Sequence, residues 1–294
     1  MRETPVEEAG GVWLKLEHLQ VTGSFKFRGA TNKVELLDAD QAAAGVVTAS
    51  NGNHGLAVAA AARRRGIAAE VFVSSQVSQS KLRRIEACGA IVRHAGREPL
   101  DAELAARDAA EKAGKVFISP YNDADVIAGQ GTIGAELHRQ LPGLDAVLVA
   151  VGGGGLIGGI GAYLKAVSPS TEIVGCWPEN SPVLYECMKA GRVFEVPERA
   201  TLSESTAGGL EPGSVTLDLC RQVVDRTVLV VESEILAAMR RMLAMEHWLI
   251  EGAAGVAVAA YLKEAERYRG KTVAIVLCGR NVSAEVLRQM GCEC

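Results

Sequence analysis

The sequence predicts an α/β protein: two open, twisted, mostly parallel sheets flanked by helices. Three observations predict it. Short β-branched runs alternate with Ala-rich stretches of helical period along the chain, the pattern of repeated strand–helix units. Two runs, "VLVAV" and "VAIVL", are apolar at every position, as strands covered on both faces are. Several runs also end in glycine or small polar residues, and open α/β sheets bind ligands beyond the C-terminal ends of their strands.

Taken in chain order, strands are expected at "VWLKLE" (12–17), "GVVTAS" (45–50), "AEVFVS" (69–74), "AIVRH" (90–94), "VFISP" (116–120), "DAVLVAV" (145–151), "EIVGCW" (172–177), "RTVLVV" (226–231) and "KTVAIVLCG" (271–279). Helices are expected at 24–37, 53–65, 78–87, 99–113, 128–140, 155–167, 181–190, 214–222, 233–247 and 252–267. The first of these carries Phe27, Ala30, Val34 and Leu37 on one face, the spacing of a half-buried helix. No repeat, low-complexity stretch or linker interrupts the alternation, so composition alone marks no domain boundary.

With 294 residues the chain suits one large or two closely packed domains. Hydrophobic residues make up 48% and charged residues 22%, so an ordinary globular core is affordable and disorder is not expected. The net charge of −4 has mixed signs and gives no basic field for nucleic acid. "GLAVAAAA" (55–62) is the longest approach to a membrane span and is far too short, so no membrane partner is expected. The start "MRETPVEE" lacks the apolar core of a secretion signal. Seven cysteines, an odd number without zinc-finger spacing, suit a reducing compartment, and a cytoplasmic location is expected. The tail cysteines Cys292 and Cys294 read as incidental thiols or as a soft-metal pair.

Four clusters carry chemistry. Gly152, Gly153, Gly154 and Gly155 follow the apolar run 145–151 and open a helix; inward-turned backbone N–H groups at a helix start form an anion cradle, most simply for phosphate. A tight strand-to-helix turn would need only one or two of them. Gly153, Gly155 and Gly158 also spell G-x-G-x-x-G, with Glu179 past the next strand, so a dinucleotide site and a nicotinamide-dependent oxidoreductase compete with the phosphate reading. Ser50, Asn51, Gly52, Asn53 and His54 open the helix 53–65, more polar groups than a helix cap needs and suited to an oxyanion or carboxylate. His54 taken alone is more often structural. Cys278 ends the last apolar strand and either fills the core or faces a ligand, and Asn281 could cap a following helix. Lys26 sits between Phe25 and Phe27; it reads equally as a solvated helical lysine or as a desolvated amine, nucleophilic or able to condense with a carbonyl.

Together "KLEHLQVTGSFKFRGA", "SNGNHG", "VIAGQGTIGAEL", "VGGGGLIGG" and "LCGRN" resemble the fold-type II pyridoxal-phosphate enzymes, and most closely the threonine/serine dehydratase and serine racemase group. The motifs span residues 14 to 282 in the family's order. The resemblance implies a tryptophan synthase β-like architecture, with residues 1–37 and 121–294 as a large cofactor-binding domain and 38–120 as a small domain closing on substrate. It implies that Lys26 carries pyridoxal 5'-phosphate, with Phe25 beside it, that Gly152 to Gly155 bind the phosphate, that Asn53 meets the ring's 3′ oxygen, and that Cys278 faces the ring nitrogen where most relatives have Ser. Ser50, Asn51, Gly52 and His54 would grip the carboxylate of a small amino-acid substrate, with Tyr121 near its side chain. The activity implied is dehydration and deamination of a β-hydroxy amino acid, threonine or serine first, to a 2-oxo acid and ammonia. Lys26 would serve as base, and the cofactor's phosphate would donate a proton to the leaving hydroxyl. A homodimer is implied as well. Another β-hydroxy amino acid such as 3-hydroxyaspartate, a racemase, or a non-catalytic carrier of the cofactor are the alternatives.

The departures from the family pattern sharpen these expectations. Asn51 stands where serine racemases carry the Ser that acts on the second face of the substrate, so racemisation is expected to be weak. Trp177 and Val183 occupy the places of a Glu and an Asp that bind a divalent cation in metal-activated members, so no metal is expected there. Arg280 replaces the usual Gly and either meets an acidic substrate or braces the domain, and Tyr121 replaces Phe or Asn. The chain ends at Cys294 without a regulatory domain, so feedback control by isoleucine is not expected.

Overall fold

A computed structural model describes residues 1–75 and 77–291. The tail cysteines Cys292 and Cys294 lie outside the described residues. Ten strands occur among the described residues: β1 (Val6–Ala9), β2 (Val12–Lys15), β3 (Val46–Ala49), β4 (Ala69–Val73), β5 (Ile91–His94), β6 (Val116–Phe117), β7 (Ala146–Ala150), β8 (Glu172–Pro178), β9 (Arg226–Val230) and β10 (Val273–Val276). They form two sheets, and the chain divides into two compact units: Phe25–Gly129 with Met1, and Arg2–Ser24 with Gln130–Cys294.

The sheet of the first unit has the order β5-β4-β3-β6, parallel throughout. Phe27, Ala30, Val34 and Leu37 turn inward together with Ala57, Val58, Ala61 and Ala62 of the helix Asn53–Arg65. Alanines on that helix let its neighbour approach closely, which is why the Ala-rich stretch sits here. Ala102, Ala106 and Ala110 of the helix Pro99–Ala113 pack in a separate cluster with Val47 and Phe72, so both faces of the sheet are covered. The helix Lys26–Glu35 directs its apolar face at Asn53–Arg65 and so falls in this unit. The compact units divide at 24/25 and 129/130.

In the second unit the order is β1-β2-β10-β7-β8-β9, with only β1 antiparallel to its neighbour. The two runs apolar at every position become β7 and β10, adjacent strands buried along their whole length. The helix Gly252–Lys263 is buried from Gly252 through Ala260, on every side rather than on one stripe. Lys15 on β2 is fully buried: its Nζ donates to Glu136 Oε2 and to the Thr4 carbonyl, each at 2.6 Å, and to Gln140 Oε1 at 2.8 Å. A buried ammonium is tolerable only with such a full set of partners, and this one ties residues at the N-terminus to the helix that ends at Gln140.

All nine expected strands are present, each within a few residues of its expected ends. Two elements, β1 and the helix Ala39–Ala44, went unread, and a third, the helix after Asn281, was expected without bounds. β1 pairs with β2 through Gly10 and Gly11, whose φ values of 59° and 87° are those of a two-residue hairpin turn. The helix Ala39–Ala44 starts at a capping box of Asp38 and Gln41. The helix Ala284–Gln289 is capped by Ser283, which accepts from Val286 N; Asn281 is not its cap, and instead donates from Nδ2 to the Thr22 carbonyl.

Candidate active site

In the first unit, parallel pairing places the C-terminal ends of β3, β4 and β6 along one sheet edge. β3 leads into Ser50–His54, β4 into Ser74, and β6 into Ile118–Tyr121. Ser50 Oγ accepts from the Gly52 amide at 3.1 Å. The Asn51 side chain is engaged twice with Ser74, donating to its Oγ at 2.7 Å and accepting from its amide at 2.9 Å. A Cβ on Gly52 would touch nothing within 4 Å, so the backbone there is open to a ligand, whereas one on Gly55 would lie 2.8 Å from the Ser50 carbonyl oxygen. Asn53 is the first residue of the helix Asn53–Arg65, and its predecessor Gly52 provides no side-chain cap.

Lys26 is half-buried and is the first residue of its helix. Its Nζ donates to the Pro120 carbonyl at 2.7 Å and stands 5.1 Å from the centre of the Phe25 ring. A cation at the first position of a helix faces the positive end of the helix dipole, an arrangement unfavourable by about 0.3–1 kcal/mol, so helix stability does not account for a lysine here. Phe27 is fully buried while Phe25 is half-exposed, so the two rings that bracket Lys26 have different tasks. Tyr121 is half-buried and directly follows the Pro120 carbonyl. His54 is buried, with Nε2 donating to the Ile118 carbonyl at 3.0 Å. Its side chain points into the fold, so a part in holding a carboxylate would fall to its backbone N–H.

In the second unit, β2, β10, β7, β8 and β9 run parallel, and their C-terminal ends share an edge. Gly152 to Gly155 follow β7, with Gly154 at φ 86° as the N-cap of the helix Gly155–Val167 and without a side-chain cap bond. A Cβ on Gly152 would lie 2.9 Å from the Cα and carbonyl oxygen of Thr206; one on Gly154 would meet Leu184, Cys220 and Thr216 at 2.7 to 3.0 Å. Packing thus explains two of the glycines as well as the cradle does. Cys278 is buried at the end of β10, and the next residue, Gly279, bridges to Ser24. The Ser24 hydroxyl is fully buried without a protein hydrogen-bond partner among the described residues.

Arg280 is exposed, with its side chain 3.4 Å from where a Gly23 Cβ would stand. Its charge reaches His18, whose pKa is lowered to about 4 by burial first and by Arg280 second. Trp177 is buried with its ring over Gly175, and Val183 is buried at the first turn of the helix Val183–Ala190.

Sequence reasoning missed Glu251. This buried residue accepts from the Asn281 amide at 3.1 Å and donates its own amide to the Gly279 carbonyl at 3.0 Å, and its carboxylate fills the space a Cβ on Gly279 would need. It also missed the Ser203–Thr206 turn, closed by a 2.6 Å contact between the two hydroxyls and held against Gly152. The signal for the first was a carboxylate opening an otherwise apolar helix; the second, in an irregular segment, had none.

Two buried histidines make a pH prediction. His54 is lowered to about 3, by burial, then by the charge of Lys26, with the Ile118 hydrogen bond acting the other way. Between these depressed values and 6.5 the unfolded chain binds protons that the folded chain does not, so stability rises with pH in this window and falls as the solution is acidified. Each histidine adds up to about 1.4 kcal/mol per pH unit. Urea midpoints are therefore expected to drop steeply between pH 7 and pH 5, and His18→Gln should flatten that slope.

Each unit by itself carries features that fit an aldehyde cofactor with a phosphate: in the first a half-buried amine on a carbonyl, and in the second a helix that starts on glycine backbone without a side-chain cap. The comparisons agree. The profile of the pyridoxal-phosphate dependent enzymes matches residues 1–279, and the chain belongs to that family. It is 40% identical over 278 residues to the L-threonine ammonia-lyase of Thermotoga maritima, covering 95% of this chain and 69% of that one. It is 35% identical over 276 residues to a serine racemase of Arabidopsis thaliana, covering 92% of this chain and 83% of that one. Among solved structures, the processed form of threonine deaminase isoform 2 from Solanum lycopersicum superposes with a TM-score of 0.94 at 31% identity, covering 98% of this chain and 87% of that one. The chain is thus a fold-type II pyridoxal-phosphate enzyme, and the nicotinamide reading of Gly153, Gly155 and Gly158 is set aside by this membership.

Proposed function

We propose that the protein is a pyridoxal-phosphate dependent ammonia-lyase that converts a β-hydroxy amino acid, threonine or serine first, into a 2-oxo acid and ammonia. The observation that carries this reading is Lys26, a cation on the wrong end of its helix, parked on the Pro120 carbonyl in a chain similar to threonine ammonia-lyases. Lys26 would hold the cofactor, Gly152 to Gly155 its phosphate, and Asn53 and Cys278 its ring, with Phe25 alongside. When bound, pyridoxal phosphate supplies an electron sink for the charge left at the substrate's α-carbon. The Lys26 amine takes the α-proton as general base. Backbone amides from Ser50 to His54 orient the substrate carboxylate, and Tyr121 lies toward its side chain.

Elimination is favoured over racemisation by Asn51. Its amide has no titratable proton, and both of its polar atoms are held by Ser74, so it offers no acid for the opposite face of the substrate. A homodimer in the cytoplasm completes the reading; no helix among the described residues is long and apolar enough to cross a membrane. The test is a panel of β-hydroxy amino acids, 3-hydroxyaspartate included, scored for 2-oxo acid, ammonia and change of chirality. Release of oxo acid from threonine or serine is expected, with D-amino acid at trace level. Conversion to the mirror-image amino acid as the main product would reverse the assignment.

A further inference from the structure

We propose that His54 is a positioning residue for Lys26: its imidazole donates from Nε2 to the Ile118 carbonyl and so holds the Ile118–Pro120 segment where its last carbonyl receives the Lys26 amine. The proposal rests on the reading of Lys26 as the cofactor lysine. A carbonyl can only accept, so the 3.0 Å contact puts the proton on Nε2 and leaves Nδ1 as a bare lone pair. Nδ1 has no protein partner among the described residues. Ile118 is held from three directions: its carbonyl accepts from His54 and, at 2.8 Å, from the Thr48 hydroxyl, and its amide donates to Val47 at 2.8 Å. Two residues further on, the Pro120 carbonyl accepts from Lys26 at 2.7 Å, and the Ser119 hydroxyl between them accepts from the Asn122 amide at 3.0 Å. The short segment is thus a strut, with the imidazole at one end and the amine at the other.

The charges around the ring support this role. Lys26, from the helix Lys26–Glu35, is the cation that acts on it; β3 contributes the neutral Thr48, which shares the Ile118 carbonyl, and the segment after β6 contributes that carbonyl. Burial and the nearby ammonium both disfavour a charged imidazole. His54 therefore stays neutral while Lys26 gains and loses protons, and the strut does not shift during turnover. A lysine that must be both anchor and base needs an unchanging seat.

The experiment uses the full chain in cofactor-free and loaded forms. Nitrogen-15 spectra of histidine-labelled protein are expected to show His54 in the Nε2–H tautomer, with no charge gained between pH 8 and pH 5. His54→Leu keeps the site dry and removes the donor; the visible band of the lysine-linked cofactor should form about tenfold more slowly on adding pyridoxal phosphate. His54→Gln, whose amide donates from about the place of Nε2, should recover most of that rate. A ring proton on Nδ1, a leucine variant as fast as the parent, or a glutamine variant as slow as leucine would each overturn the proposal. Should His54→Leu fail to fold, the tautomer and the glutamine variant decide the matter. A band that forms without Lys26 counts against the function proposed above; a Lys26-dependent band indifferent to His54 counts against this inference alone.

Discussion

Lys26→Ala is expected to reduce elimination by at least about 10³-fold, the scale on which a positioned general base contributes, before loss of the covalent anchor is added. The fold should survive. The variant loses the hydrogen bond to the Pro120 carbonyl from a half-buried side chain. Such a bond contributes about 1 kcal/mol net. Against that, alanine is the better helix former, and removing a cation from the first position of the helix Lys26–Glu35 relieves its opposition to the helix dipole. The urea midpoint should consequently move little while the rate collapses. Oxo acid release and the borohydride-sensitive visible band are the readouts: both should vanish together, with far-UV dichroism unchanged. Retention of more than about 1% of the parent rate would show that another group does the base's work. A variant that loses activity only by unfolding would show that Lys26 is a structural residue after all.

Much of the fold was legible because its signals are local. The apolar runs of β7 and β10 announce strands buried on both faces, and the alanines of Asn53–Arg65 announce a closely packed helix. The elements that escaped are short: β1 has four residues and the helix Ala39–Ala44 six, too few for a period to register, although Gly10-Gly11 and Asp38–Gln41 were readable as turn and cap. For the site, the legible residues directly follow strands. Lys26 was ambiguous for a physical reason: its helical apolar face, Phe27 to Leu37, is the same whether or not the lysine is functional, and only the end of the helix on which it falls separates the readings. What no local signal could supply were partners distant in sequence, such as Glu251 against Gly279, Thr206 against Gly152, and the Ile118 and Pro120 carbonyls that receive His54 and Lys26.

The Thr206 contact sets the second large effect. Gly152→Ala is expected to weaken cofactor binding by about 10- to 100-fold, the equivalent of one or two charge-assisted hydrogen bonds to phosphate. The new methyl would stand 2.9 Å from the Thr206 Cα and carbonyl oxygen, and backbone cannot swing aside as a side chain can. Thr206 is itself held, its amide donating to the Ser203 carbonyl at 2.9 Å and its hydroxyl to the same oxygen at 3.0 Å. The glycine loop must therefore give way, and its amides lose their aim. Gly154→Ala makes the contrasting case. There the residue has φ 86°, and the methyl would press on Leu184, Cys220 and Thr216 in the packed interior. Strain and overpacking together cost about 1–3 kcal/mol of stability whether or not the cofactor is present. Titrating cofactor-free protein with pyridoxal phosphate and melting the same samples separates the two. Gly152→Ala should lose affinity out of proportion to its melting temperature, and Gly154→Ala should lose melting temperature first. If both variants bound the cofactor as tightly as the parent, the four glycines would be there for packing alone, and the phosphate would have to be held elsewhere in the chain.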